Sequence, residues 1–288
     1  MNVELIKPYG FCTGALKAID LVKKVRKDNP DNNIILFGPI LHNENINELM
    51  NNLKIKVLDL PYEAYSDVID TLSIDDIVIL PAHGHDNYLE EKLLRKGILY
   101  VDATCPIIKK IHDLILIDYA DRDIIYIGKK SHIEAITTTS LKENIFLFDI
   151  NYHTDLTQYH ISKPIILYQT TLTKYDVKDS IKIIKKIFPD AQEGKTLCRQ
   201  CTIRQNNLIK SLDDNVFVIV VGSKNSSNTV SLLNIYYKTT KNENIMLVNS
   251  LDEVKKMNFN KNYKYIITSG TSTPNSIVES IYKYIRSL

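Results

Sequence analysis

The 288-residue chain has few cysteines, no long apolar run and almost no excess of either charge, and each shortage excludes a class of protein. Its 36 Lys and Arg face 34 Asp and Glu, a net charge of +2. A surface built mainly for nucleic acid or acidic lipid needs a concentrated basic excess, so neither partner is expected. The longest uninterrupted apolar stretch, Val216–Val221, falls far short of the roughly 18 residues that a bilayer-spanning helix needs. The opening MNVELIKPYG has no apolar signal core, which makes a cytoplasmic setting the expectation. Four cysteines are too few for a disulfide scaffold in a chain of this length. In a reducing compartment they read as buried thiols, metal ligands or nucleophiles. No Walker-type lysine loop and no Gly-x-Gly-x-x-Gly occurs, so a nucleotide held in the usual loops is not expected. With 44% hydrophobic and 24% charged residues, the composition is that of a globular protein.

What is present is a repeat. Cys12, Cys105 and Cys198 recur at intervals of 93 residues, and their flanks agree. Each is followed by a helical pattern (TGALKAIDLVKKVRKD, PIIKKIHDLILID, RQCTIRQNNLIK), with Pro106 suited to a first helical turn. Each helix runs into a β-branched strand closed by glycine at Gly38, Gly128 or Gly222, and four residues later come His42, His132 and Ser226. Two further strands follow in every unit: KVLDL, IFLFD and IMLVN, then DIVILPAHG, PIILYQTT and YIITSGTS. Continuous apolar strands alternating with helices predict an α/β fold of three pseudo-equivalent αβ lobes with small parallel sheets. The expected divisions are 13–104, 105–195 and 196–288, with 1–12 as the strand leading to the first repeated cysteine.

Ligands of open α/β sheets gather beyond the carboxyl ends of the strands, where all three repeated cysteines fall. An isolated cysteine is most often a buried small hydrophobe, but three at one repeat position point to a shared role. A helix start favours the thiolate, and thiolates select soft ions, which leaves zinc or an iron–sulfur cluster. Cys201 lies one turn beyond Cys198 and has no counterpart in the other units, so the repeat favours three ligands over four. His42, His83 and His132 fall at the same ends, beside Thr170, Ser226, Ser227, Asn228 and Ser272. Singly these are turn and cap residues; together they predict an anion site, especially for phosphate. Glu134, two residues after His132, is placed to deliver a proton into that site from a loop.

Nine segments stand in the order seen in the 4-hydroxy-3-methylbut-2-enyl diphosphate reductase family: PYGFCTGALKAID, FGPILHNENI, AHG, DATCP, the His-x-Glu of SHIEA, QTT, LCRQCTIRQ, VGSKNSSNT and SGTSTP. The chain resembles that family over essentially its whole length. The resemblance implies an oxygen-sensitive enzyme with a central 4Fe–4S cluster held by Cys12, Cys105 and Cys198. His42, His83, His132, Thr170, Ser226, Ser227, Asn228 and Ser272 would hold an allylic diphosphate, and Glu134 would be the proton donor. The implied reaction is the reductive dehydroxylation of 4-hydroxy-3-methylbut-2-enyl diphosphate to isopentenyl and dimethylallyl diphosphate, with the substrate hydroxyl at the open iron. It would be the last step of non-mevalonate isoprenoid synthesis, with reduced ferredoxin or flavodoxin as the electron donor. Two other readings are a non-catalytic iron–sulfur electron carrier or redox sensor with Cys201 as fourth ligand, and a structural zinc module. The chain departs from the family's usual residues at Lys17, Ala135, Ile136, Cys201 and Ser269.

Overall fold

The computed structural model describes residues 1–288 as three four-stranded, wholly parallel sheets. The first has the order β3-β2-β4-β5, from β2 (Ile34–Leu36), β3 (Ile55–Val57), β4 (Ile77–Leu80) and β5 (Leu99–Asp102). The second repeats it as β7-β6-β8-β9, from β6 (Ile124–Gly128), β7 (Ile145–Asp149), β8 (Ile165–Tyr168) and β9 (Gln192–Glu193). The third is built on β10 (Val216–Val221), β11 (Ile245–Val248) and β12 (Lys264–Ser269), and its fourth strand is β1 (Val3–Leu5). The strand ahead of each repeated cysteine thus edges the sheet of the preceding lobe, and for Cys12 the preceding lobe is the last one. Val3, Glu4 and Leu5 pair with Tyr265, Ile266 and Ile267, which closes the three lobes into a ring.

The strands read as unbroken apolar runs because both faces are covered. In the first lobe Ile34, Leu36, Ile77 and Ile79 pack under helix α1 (Thr13–Asp28), while Ile35, Phe37, Val78 and Leu80 face α3 (Tyr65–Thr71) and α4 (Asn87–Arg95). The second lobe divides in the same way. Ile124, Tyr126, Ile165 and Leu167 lie against α5 (Pro106–Asp113) and α6 (Ile133–Thr139), and Ile125, Ile127 and Ile166 against α7 (Lys174–Ile187). In the third, Val218, Val220 and Ile266 meet α8 (Arg199–Lys210) and α9 (Ser227–Thr239), and Ile219, Val221 and Ile267 meet α10 (Leu251–Lys255) and α11 (Asn275–Ser287). No helix is long and apolar enough to cross a membrane.

Cys12, Cys105 and Cys198 are the N-caps of α1, α5 and α8. Their backbone amides donate to the carbonyls of Thr271, Ala82 and Thr170 at 3.1, 3.0 and 3.0 Å. Each of those carbonyls sits just past the third strand of the preceding lobe, so the threefold relation extends to single hydrogen bonds.

Two local expectations need correction. The N-caps of the helices that follow the glycines are Asn43, His132 and Ser226, so His42 lies one residue ahead of its supposed equivalents. The connection in the first lobe is one residue longer, and the cap falls to Asn43 ahead of helix α2 (Glu44–Asn52). Glu134, expected on a loop, sits in the first turn of α6, as do the divergent Ala135 and Ile136. His132 closes that turn by accepting the Glu134 amide at Nδ1, which turns the loop into helix.

Candidate functional site

The strand ends and cap residues of all three lobes converge on one cavity. Its walls include Cys12, Cys105, Cys198, His42, His83, His132, Glu134, Thr170, Ser226, Ser227, Asn228 and Ser272. Every site residue expected from the sequence therefore meets the others here. A wider cavity of about 590 Å³ adjoins it, sharing His42 and His83 and lined further by Asn43, Glu44 and Tyr65.

Contacts between lobes cross its rim. The Thr171 and Ser227 hydroxyls are 2.9 Å apart and join the second lobe to the third. Glu44 accepts from Ser223 at 3.0 Å and from Asn249 at 2.7 Å, joining the first to the third. Within the third lobe Ser226 and Ser272 pair at 2.9 Å. Apart from Glu44, in the first turn of α2, these are short polar side chains at or near caps and strand ends.

The three imidazoles pack as a group. His42 stacks on His83 at 4.8 Å between ring centres, and His83 meets the edge of His132 at 6.2 Å. Burial lowers the pKa of all three; His132 is pushed down to about 3, with repulsion from His42 and Lys129 adding to the effect. They are neutral donors in the unliganded protein. Since His132 Nδ1 accepts the Glu134 amide, its proton resides on Nε2. His83 Nε2 is fully buried without a partner, which leaves one polar atom of the wall unsatisfied by the protein itself.

Glu134 is buried and still fully hydrogen-bonded. Its Oε1 accepts from the Thr170 amide (2.6 Å) and the Tyr126 hydroxyl (3.0 Å), and its Oε2 from the Thr170 hydroxyl (2.8 Å). Burial outweighs these donors and raises its pKa to about 7. Tyr126 was not singled out from sequence, although it is the one polar side chain in the strand IIYIG.

The thiols are unlike one another. Burial, opposed by nearby amides and reinforced by the Cys12 and Cys198 sulfurs, pushes Cys105 up. The Cys201 thiol, outweighing burial, and then the amides of Cys201 and Gln200 bring Cys198 down to about 6. At Cys198 the neighbouring thiol does most of the lowering and the helix-start amides add to it, whereas at Cys105 burial overrides those amides. Gly14 lies so close that a Cβ there would stand 2.9 Å from the Cys105 sulfur. Arg204, buried on α8, adds its charge beside Cys12, Cys198 and Cys201 while donating to the carbonyls of Gly10 (2.8 Å) and Ser269 (2.9 Å). It too was missed; the available signal was an arginine one turn after Cys201 in a chain with only six. Three converging sulfurs, one from each lobe, with a buried positive charge beside them fit an inorganic cluster that carries net negative charge.

The LytB protein family profile matches residues 3–286. This chain belongs to the LytB protein family. Among its curated relatives, the 4-hydroxy-3-methylbut-2-enyl diphosphate reductase of Malacoplasma penetrans is 30% identical over 281 residues, covering 95% of this chain and 93% of that protein. The reductase of the same name from Clostridium tetani is 32% identical over 98% of this chain, which spans 43% of that longer protein. The solved E-1-hydroxy-2-methyl-but-2-enyl-4-diphosphate reductase of Plasmodium falciparum superposes with a TM-score of 0.82 at 26% identity, covering 99% of this chain and 87% of that one. A solved (E)-4-hydroxy-3-methyl-but-2-enyl diphosphate reductase, the terminal enzyme of the non-mevalonate pathway, gives a TM-score of 0.67 at 25% identity over the whole of both chains.

Three departures from the usual LytB residues acquire a physical reading. Lys17 is exposed on α1, where a lysine is as well solvated as an arginine. The Ser269 hydroxyl accepts from the Gly10 amide at 2.8 Å, tying the loop ahead of Cys12 to β12. The Cys201 thiol lies between two acceptors, the Cys198 sulfur and the Asn228 amide oxygen at 2.6 Å, and its one proton serves one of them at a time. Cys201→Ser keeps the donor and is expected to leave metal content and substrate KM unchanged. Cys201→Val removes it and is expected to raise KM about five-fold at unchanged metal content, the ~1 kcal/mol of one neutral hydrogen bond. Loss of metal in Cys201→Ser would show instead that the thiol is a ligand.

Proposed function

We propose that this chain reduces 4-hydroxy-3-methylbut-2-enyl diphosphate to isopentenyl and dimethylallyl diphosphate, using a 4Fe–4S cluster held by Cys12, Cys105 and Cys198. One observation carries the reading: a buried carboxyl poised near neutral pKa lines the same cavity as three sulfurs from three different lobes. The net reaction takes two electrons and two protons, breaks the allylic C–O bond, forms one C–H bond and releases water. Reduced ferredoxin or flavodoxin would deliver the electrons, and the reaction would be the last step of its pathway. When bound, the cluster supplies one-electron reduction and an iron able to take the substrate hydroxyl.

The protein's own groups do the rest. Neutral His42, His83 and His132 and the hydroxyls of Ser226, Ser227 and Ser272 offer donors to the diphosphate, and the Asn228 amide adds another. Binding that anion raises the imidazole pKa values, so complex formation takes up protons. Glu134 is the proton store, since at about 7 a substantial fraction of it is protonated near neutrality. Its Oε2 faces only the Thr170 hydroxyl, which passes the proton onward by accepting from the acid and donating to the departing oxygen.

Tyr126→Phe gives a directional test. The Tyr126 hydroxyl favours the ionised carboxylate, so its removal raises the Glu134 pKa further. In wild type kcat is expected to fall as pH rises through about 7, and in Tyr126→Phe that alkaline limb is expected at higher pH. A limb that stays in place removes Glu134 from the rate-controlling proton transfer. The function itself is tested by iron and sulfide analysis of anaerobically purified protein, with turnover driven by a chemical reductant. The expected result is about four iron and four sulfide per chain, with both isomeric diphosphates formed. Zinc in place of iron, or an intact cluster whose spectrum ignores substrate, would overturn it.

A further inference from the structure

The loop that presents His83 carries a second histidine, His85, which lies outside the cavity described above. We propose that His85, Glu90 and Asp102 form a site for a divalent transition cation of the zinc type. The three side chains come from the loop after β4, from α4 and from the end of β5, and their ligand atoms all lie within 4.8 Å of one another. His85 Nε2 is 3.4 Å from Asp102 Oδ1 and 3.5 Å from Glu90 Oε1. Both distances exceed the roughly 2.7–3.2 Å of an N–H···O hydrogen bond. They match the edge of a tetrahedron whose corners stand about 2.0–2.2 Å from a central ion, which is about 3.3–3.6 Å.

The orientation of the groups agrees. His85 Nδ1 is 3.1 Å from the Asp86 carbonyl oxygen, which accepts only and therefore requires the proton on Nδ1. In its neutral form the ring then has its lone pair on Nε2, directed at the two carboxylates, as in histidine ligands fixed by a second hydrogen bond. Asp102 is held in turn, Oδ1 by the Thr104 amide at 2.7 Å and Oδ2 by Lys109 at 3.1 Å. His85 is buried, while Glu90 is about a third exposed, leaving the fourth coordination position on the solvent side. One imidazole and two carboxylates suit zinc or a neighbouring first-row ion better than magnesium or calcium, which take oxygen alone. Such an ion would pin the loop carrying His83 to the strand that ends three residues before Cys105, fixing two walls of the cavity from outside.

The competing arrangement is a protonated His85 between the two carboxylates with no metal. Equilibrium dialysis of the cluster-loaded protein against zinc under argon, followed by elemental analysis, separates the two. The expected result is one zinc per chain beyond the cluster metal, absent in His85→Ala and bound at least about ten-fold more weakly in Glu90→Gln. Both variants are read at equal iron content, so zinc on stray thiols appears equally in all three proteins and cancels. Because Glu90 is partly exposed on α4, Glu90→Gln remains informative even if His85→Ala does not fold. No stoichiometric zinc, or zinc uptake identical in all three proteins, overturns the site. Neither outcome depends on whether the protein turns over its diphosphate substrate.

Discussion

Glu134→Gln is expected to retain its cluster and bind substrate while kcat drops by roughly 10²–10⁴, the usual cost of removing a positioned general acid. The glutamine amide is nearly isosteric and can still accept from the Thr170 amide and the Tyr126 hydroxyl through its oxygen. What it cannot do is release a proton through the Thr170 hydroxyl at neutral pH. A loss caused by misfolding is separable by stability. In wild type the Glu134 pKa is raised from about 4.5 to about 7, so its contribution to stability is complete below about 4.5 and is lost as pH rises to about 7. The glutamine variant does not titrate, and its Tm at pH 8 is expected to match or exceed that of wild type, although its turnover has collapsed. Normal single-turnover rates in Glu134→Gln would eliminate the proton path proposed here.

Cys105→Ser is expected to lose the cluster and, with it, all measurable turnover. Serine caps a helix at least as well as cysteine, so α5 should start where it does now and the second lobe should fold. The loss is one of ligation, because an alkoxide is far less available near neutrality than a thiolate and is a harder donor. Iron, sulfide and the visible absorption band should fall together, while the circular dichroism of the α/β fold stays unchanged. Retention of full iron by Cys105→Ser would transfer the third ligand elsewhere, and Cys201 would be the obvious substitute. The paired measurement is Cys201→Ser, which should keep what Cys105→Ser loses, because Cys201 has no counterpart in the other two lobes and serine keeps a donor at that position.

Much of this architecture was legible along the chain because a parallel sheet buried on both faces leaves a plain mark. IVIL, IIYIG and VFVIVV carry no polar alternation, since neither side of those strands meets water. The 93-residue recurrence of cysteine exposed the lobes, and glycine and cap chemistry marked where each loop turns toward the centre. The residues that line the cavity could be named because Cys, His, Ser and Asn recur together at equivalent strand ends, beyond the turn and cap use each has singly.

The partners of those residues were not legible. Tyr126 reads as one more large residue in a strand, and only the packing of α6 onto β6 brings its hydroxyl to Glu134. Arg204 reads as a helix-surface charge until α8 is laid against β12 and its guanidinium meets the carbonyls of Gly10 and Ser269.

The amino-acid order by itself determined the class of fold, the threefold plan and which polar side chains fall at the strand ends, because periodicity and residue chemistry are local properties. Closure of the ring through Val3–Leu5, the one-residue offset at His42 and the raised pKa of Glu134 were decided only in three dimensions. Strand pairing, loop length and desolvation each depend on residues far apart in the chain, and no local pattern encodes the distance between them.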